Sequence, residues 1–163
     1  MSWSDDFYSS MSVDELREKA RKALREAEGK GRHLSPVIVP GRTICRTWWG
    51  KAWCRNMEQY LDYENRLPRG RSYVRNGAVI DLVIGEGKVS ALVQGSRSRP
   101  YEVEIRVSPL GKTKMKKVSA LCSRELDSLE ELVKGKFPKS LETLLTEEGA
   151  LFPTAREIRF DCS

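Results

Sequence analysis

The sequence predicts an α+β fold, in which a four-stranded antiparallel meander over about residues 71–108 packs with helices from both flanks. Two turn signals, Asn76-Gly77 and Gly85-Glu86-Gly87, separate short apolar runs. Residues 101–107 then alternate between apolar and charged side chains, as a strand with one buried face does. The segments on either side show the three- and four-residue spacing of helices instead. A chain of 163 residues is long enough to bury a substantial core.

Residues 1–46 are predicted to form an N-terminal arm, a helix and a linker. The aromatic residues within positions 1–11 fit either a floppy arm or an anchor that docks on the body of the protein. Ser12 and Glu15 form a capping box, and apolar residues at helical spacing extend to Gly29, where the helix should end. Residues 36–39 of the linker are predicted as a short edge strand.

Residues 47–163 are predicted to form the α+β domain. Thr47 should cap a second helix, with Trp49 and Trp53 on one face. The tryptophans fit either a core anchor or a stacking platform for bases, and Trp48 is the best candidate for an exposed ring. The predicted strands are 72–75, 78–84, 88–94 and 101–107. Helices are expected near 118–122, 126–133 and 138–149, and residues 156–162 form a candidate final strand.

Positive charge concentrates in the same β-rich block. Residues 66–117 hold twelve lysines and arginines against four acidic residues, a net charge of +8, whereas the whole chain carries +6. Such a local field attracts polyanions and is a first indication of nucleic-acid binding. No apolar run is long enough to span a membrane and no signal peptide is evident, so we expect a cytoplasmic protein. The four cysteines are unevenly spaced, which favours reduced thiols.

Catalytic groups cannot be assembled from the sequence, and we expect no enzymatic activity. The single histidine, His33, lies in the glycine-containing linker. Any Ser-His-Asp or Cys-His catalytic arrangement would have to use His33, because the chain has no other histidine. A glycine-rich phosphate loop with its lysine is also missing.

Two arginine-containing segments are the best candidates for a binding site. The first segment, residues 69–73, comes before the meander. The second is the loop 94–100, where small residues would let the backbone approach a ligand. The opposing interpretation is that these arginines cap helix ends or stack on aromatic rings within the fold. The candidate nucleic-acid-binding residues are Arg69, Arg71, Tyr73, Arg75, Gln94, Arg97, Arg99 and Trp48.

Three motifs, at residues 47–53, 69–77 and 93–101, together resemble the N-terminal region of bacterial SWIM zinc finger proteins. In that family this region leads into a zinc finger of the pattern Cys-x-Cys, spacer, Cys-x-His. The resemblance places Cys162 at the first ligand of that finger. It therefore implies zinc in the full-length protein and an incomplete site with a single ligand here, so no zinc is expected in this chain.

The resemblance implies a noncatalytic module that associates with nucleic acid. Combined with the basic block, it leads us to expect DNA binding through an arginine-rich sheet surface. The alternative is a protein-interaction scaffold for a Swi/Snf-type helicase partner.

Overall fold

The computed structural model describes residues 11–41, 43–59, 67–125, 130, 133–142 and 151–163. Four helices and four strands are found in this part of the chain. In chain order they are α1 (Val13–Gly29), α2 (Trp48–Glu58), α3 (Leu67–Arg75), β1 (Val79–Gly85), β2 (Lys88–Val93), β3 (Tyr101–Val107), α4 (Lys112–Glu125) and β4 (Ile158–Cys162). Short 3₁₀ turns at Lys139–Leu141 and Ala155–Glu157 precede β4.

The four strands form one antiparallel sheet in the order β1-β2-β3-β4. This confirms the predicted α+β fold with a four-stranded antiparallel sheet. Its residues differ from the prediction at one end, because 72–75 is not a strand. The fourth strand is instead β4, which returns from the end of the chain and pairs Cys162 with Val103 of β3.

Residues 67–75 form helix α3 and not the predicted strand. The prediction failed because the Asn76-Gly77 signal was interpreted as a hairpin turn. Asn76-Gly77 ends a helix here: the Gly77 N–H donates to the Val74 carbonyl at 3.3 Å, and the Ala78 N–H donates to the Tyr73 carbonyl at 2.9 Å. These two bonds define a Schellman motif, with Gly77 at φ +69°. A type I′ hairpin would require positive φ at Asn76 as well, which the backbone does not adopt.

Helix α1 begins and ends as predicted. Glu15 accepts a hydrogen bond from the Ser12 N–H at 2.8 Å while the Ser12 hydroxyl accepts one from the Glu15 N–H, which is the capping box. Its buried side chains are Leu16 and Ala20, and the helix contacts β1, where Ile80 is 2% exposed. The helix thus covers one part of the core.

The linker after α1 runs along the outer edge of β1. The Val37 N–H donates to the Val79 carbonyl at 3.0 Å, and the Leu82 N–H donates to the Ser35 carbonyl at 3.0 Å. Residues 36–39 are not themselves a strand, but the predicted position at a sheet edge is correct in this sense. The linker is therefore hydrogen-bonded directly to the sheet.

Helix α2 begins at the predicted cap, where the Thr47 hydroxyl accepts a hydrogen bond from the Gly50 N–H at 3.1 Å. Helix α4 is longer than the predicted segment 118–122. Several predictions lie outside the described residues: the arm at 1–10, the end of the aromatic helix at 60–61, and most of the helices at 126–133 and 138–149.

Candidate nucleic-acid interface

Three of the predicted arginines lie on helix α3 rather than on a strand. Arg69 and Arg75 are exposed, and neither forms an ion pair with any described residue. Arg71 forms an ion pair with Glu58 of α2, so its charge is already matched within the fold. On a helix, Arg71 and Arg75 share one face, whereas Tyr73 turns away from them and is half-buried. These three side chains therefore lie on a helix and not on the predicted strand 72–75, so they do not share one face of a sheet.

The loop 94–100 is shaped by its own first residue. Gln94 is only 1% exposed, and its side-chain amide donates to the carbonyls of Gly95 at 3.1 Å and Arg97 at 2.9 Å. A buried polar side chain with its donors used in this way supports the loop. It leaves Gln94 without the exposed surface that a direct ligand contact requires.

Gly95 has a packing role that the sequence did not reveal. A β-carbon at this position would lie 3.1 Å from Cδ2 of Tyr101 and closer still to Cε2. The Tyr101 ring therefore occupies the space beside Gly95 in which we expected a ligand to approach the backbone. Above the same ring, the Arg97 guanidinium stands 4.9 Å from the ring centroid, a cation–π contact. Arg97 stays exposed, so its N–H groups can still reach an anion.

The end of α3 and the loop 94–100 adjoin one another. The Gln94 N–H donates to the Ala78 carbonyl at 2.8 Å, three residues beyond Arg75. Helix α1 bridges both segments: Arg17 donates to the Asn76 side chain at 3.0 Å. Lys19 donates to the Ser96 carbonyl at 2.8 Å. Two segments predicted separately thus belong to one region of the molecule.

Arg99 lines an open cleft of about 480 Å³ between α1, the linker and the sheet. Lys30 and Arg32, which follow the end of α1, line the same cleft, together with the carboxylates Glu26 and Glu102. Sequence reasoning missed these two cations because they fall in the linker, outside the basic block. Only their order, Lys30-Gly31-Arg32 directly after Gly29, hints at a charged helix end. We call Arg75, Arg97, Arg99, Lys30 and Arg32 the cationic surface.

The polar face of the sheet is not the basic surface that we expected. The strand register places four carboxylates and three cations there, namely Asp81, Glu102, Glu104, Asp161, Lys88, Arg106 and Arg159. Lys88 and Arg106 both pair with Glu104, and these hydrogen bonds lower the pKa of that carboxyl. Cations matched in this way have little charge left for a polyanion. On the described part of the chain, the candidate basic surface therefore lies beside the sheet.

Trp48 is an anchor between α2 and the segment 135–137. Its indole N–H donates to the Phe137 carbonyl at 2.8 Å, and the Trp49 indole donates to the Gly135 carbonyl at 2.9 Å. Trp49 also packs edge-on against Phe137, with ring centroids 5.6 Å apart. Both rings are half-buried, whereas Trp53 is 39% exposed. The prediction that Trp48 would be the exposed ring is wrong.

Cys162 lies exposed at the end of β4. Over the described part of the chain, no group of three or more His, Cys, Asp or Glu side chains is placed to hold a metal ion. A structural zinc site needs four such ligands, so these residues alone do not fit one. Among the helices that are described, none combines the length and apolar character needed to cross a membrane.

Comparison with known proteins identifies a relative in Mycobacterium tuberculosis, the uncharacterized protein Rv2102. It is 40% identical to this chain over 122 residues, which make up 74% of the chain. The chain spans less than half of that protein's length, since the matched region covers 44% of it. No family model matches the sequence. No solved structure matches it either.

Proposed function

We propose that this chain is a noncatalytic nucleic-acid-associated module that binds the phosphate backbone of DNA through the cationic surface. One observation carries the proposal: Arg99, Lys30 and Arg32 line an open cleft, where these three cations outnumber the two carboxylates Glu26 and Glu102. Arg97 and Arg75 extend this charge along the adjoining loop and helix end. The resemblance to SWIM zinc finger proteins supports the same class of function.

The charge balance of the region favours a phosphate ligand. Arg75 and Arg99 form no ion pair with a described carboxylate, whereas Arg71 and the sheet cations Lys88 and Arg106 do. Arginine presents several N–H donors in a planar fork, which matches the oxygens of a phosphate group. Unmatched guanidinium groups beside a cleft are therefore suited to successive phosphates along a strand.

Duplex DNA is a better first probe than a single strand. Single-strand binding relies on exposed aromatic rings that stack with bases. In this region the Tyr101 ring is covered on one side by Arg97, and Tyr73 is half-buried. Trp48 is engaged elsewhere with Phe137. Backbone contact by cations is the remaining source of affinity, and a duplex offers the higher density of phosphates.

A salt series with charge-removing variants tests the proposal. Binding of a fluorescent duplex is measured at rising salt for the parent chain and for the double variant Arg97→Ala/Arg99→Ala. Each lost phosphate contact should reduce the slope of log K against log salt by about 0.9 for duplex DNA. The double variant should therefore lower the slope by about 1.8 and weaken binding at low salt.

The control is Arg159→Ala, which removes one arginine charge, half as many as the double variant, from the polar face of the sheet, where Arg159 is exposed. It should leave the slope unchanged. If Arg159→Ala and the loop double variant change the salt slope equally per charge removed, binding is nonspecific attraction by net charge. If neither duplex DNA nor RNA binds at low salt, the proposal fails.

A protein-interaction scaffold is the second candidate, and one specific observation favours it. The register aligns Ile84, Val89, Ile105 and Phe160 on the apolar face of the sheet, yet Ile84 is 74% exposed. Val83, next to it on the other face, is 55% exposed. An apolar strand end of this kind is suited to contact with another protein, for which the resemblance implies a Swi/Snf-type helicase. Capture of such a helicase that persists after nuclease treatment, and is lost in Ile84→Glu, would favour this function.

A further inference from the structure

Cys45 and Cys54 lie nine positions apart in the sequence, yet their sulfur atoms are 2.8 Å apart. A disulfide bond joins two sulfurs at about 2.05 Å, so only a small movement separates this hydrogen-bonded thiol pair from a covalent one. The other two cysteines differ: Cys122 is half-buried, Cys162 is exposed, and neither has a sulfur partner among the described residues.

The local fold accounts for this approach. Cys45 lies two residues before the N-cap Thr47, and the chain there folds back over the first turn of α2. A β-carbon at Gly50 would lie 3.7 Å from the Cys45 β-carbon, an ordinary van der Waals distance, so Cys45 packs against the first turn of α2. Gly50 and Cys54 are four residues apart on one helix and share a face. Cys45 therefore stands directly over the turn that carries Cys54.

We propose that Cys45 and Cys54 form an oxidisable dithiol site that a hydroperoxide converts to an intramolecular disulfide. This site is independent of the proposed nucleic-acid binding. Its product would fix residues 43–46 to the second turn of α2, and the sulfur atoms need no rearrangement of the fold to meet.

The reaction proceeds in two steps. The Cys45 thiolate attacks one oxygen of the hydroperoxide, the O–O bond breaks, and a sulfenic acid forms as water or an alcohol leaves. The Cys54 sulfur then attacks the Cys45 sulfur, the S–O bond breaks, and the departing hydroxide leaves as water with the Cys54 proton. The two thiols lose two electrons in total, and the hydroperoxide gains them.

The two sulfurs have different roles in this sequence. Burial, and next the hydrogen bond with Cys45, raise the pKa of the Cys54 thiol to about 11. Cys54 therefore keeps its proton at neutral pH and is a poor nucleophile toward peroxide. The first attack is accordingly assigned to Cys45, and Cys54 resolves the sulfenic acid.

Peptide mapping of the full chain tests the proposal. The protein is treated with hydrogen peroxide at neutral pH, blocked with an alkylating reagent, and digested with trypsin without reduction. Because Arg46 and Lys51 separate the two cysteines, the disulfide should join peptides 43–46 and 52–55. Free thiols in the monomer should fall from four to two, and reduction should restore all four.

Cysteine variants provide the controls. Cys45→Ser and Cys54→Ser should each keep their remaining three thiols free of intramolecular disulfide, whereas Cys122→Ser should still lose two. The parent mapping stands on its own if a variant fails to fold. A disulfide that involves Cys122 or Cys162 within the monomer would overturn the proposal. So would full retention of four thiols, or over-oxidation of Cys45 while Cys54 stays reduced.

Discussion

Replacement of Gly95 by alanine should destabilise the fold by displacing the Tyr101 ring. The new β-carbon would lie 3.1 Å from Tyr101 Cδ2 and closer still to Cε2, so the half-buried ring must move. Overpacking of this kind costs about 1–3 kcal/mol. Displacement of the ring also removes its contact with Arg97 at 4.9 Å, which is worth about 0.5–1 kcal/mol at an exposed site.

We therefore expect Gly95→Ala to lower the free energy of unfolding by about 2 kcal/mol. For a chain of this size each kcal/mol shifts the melting temperature by about 2–4 °C, so Tm should fall by roughly 4–8 °C. Thermal and urea unfolding at neutral pH measure both quantities. Gly70→Ala is the matched control, because Gly70 lies inside α3 with no atom within 4 Å of its added β-carbon. It should stabilise the protein by about 0.5–1 kcal/mol.

A double-mutant cycle with Tyr101→Ala identifies the cause. If the ring is the obstacle, Gly95→Ala should cost little once Tyr101 has been shortened, because the β-carbon then meets open space. An equal cost in both backgrounds would show that the Tyr101 ring is not the obstacle. So would a Gly95→Ala variant as stable as the parent chain.

Two further predictions concern the anchors of the C-terminal segments. Trp49→Phe should destabilise the protein by about 1 kcal/mol in urea unfolding, because it leaves the Gly135 carbonyl without the indole donor; unchanged stability would show that this bond is not formed. Hydrogen bonds from the Thr154 N–H and hydroxyl lower the pKa of Glu157 below its ordinary value of 4.5. Its stabilising contribution is therefore present above pH 4.5 and disappears as the pH falls through the lowered pKa. Glu157→Gln should be less stable than the parent at pH 7 and equally stable in strong acid, and a difference that grows in acid would contradict this.

Elements governed by local signals could be predicted from the sequence. The Ser12–Glu15 capping box and the Thr47 cap fix the starts of α1 and α2 through contacts over three residues. The alternation in 101–107 likewise identified β3. These signals need only the neighbouring backbone, so nothing elsewhere in the fold had to be known.

The Asn76-Gly77 pair shows where local signals become ambiguous. Glycine with positive φ serves a type I′ hairpin and a Schellman motif equally well, and the dipeptide alone does not distinguish them. The choice depends on whether the preceding residues are helical. Pro68 in the first turn of α3 and the apolar spacing of Leu67 and Val74 were the available evidence for a helix.

The candidate site depended on contacts between distant segments and was only partly predictable. The sequence-based hypothesis rested on the concentration of positive charge. Arg75, Arg97 and Arg99 are exposed, as that hypothesis requires. The cleft shared by Arg99 and Lys30 arises because the end of α1 packs near the loop after β2, over a separation of about seventy residues. The burial of Gln94 could not be predicted from the sequence either, because glutamine is mostly an exposed residue.

The most direct test of the proposed function compares salt slopes for duplex DNA between Arg97→Ala/Arg99→Ala and Arg159→Ala. The loop variant should lose about 1.8 from the slope, while the sheet variant should match the parent chain. Identical slopes for all three proteins, or no measurable affinity for DNA at low salt, would contradict it.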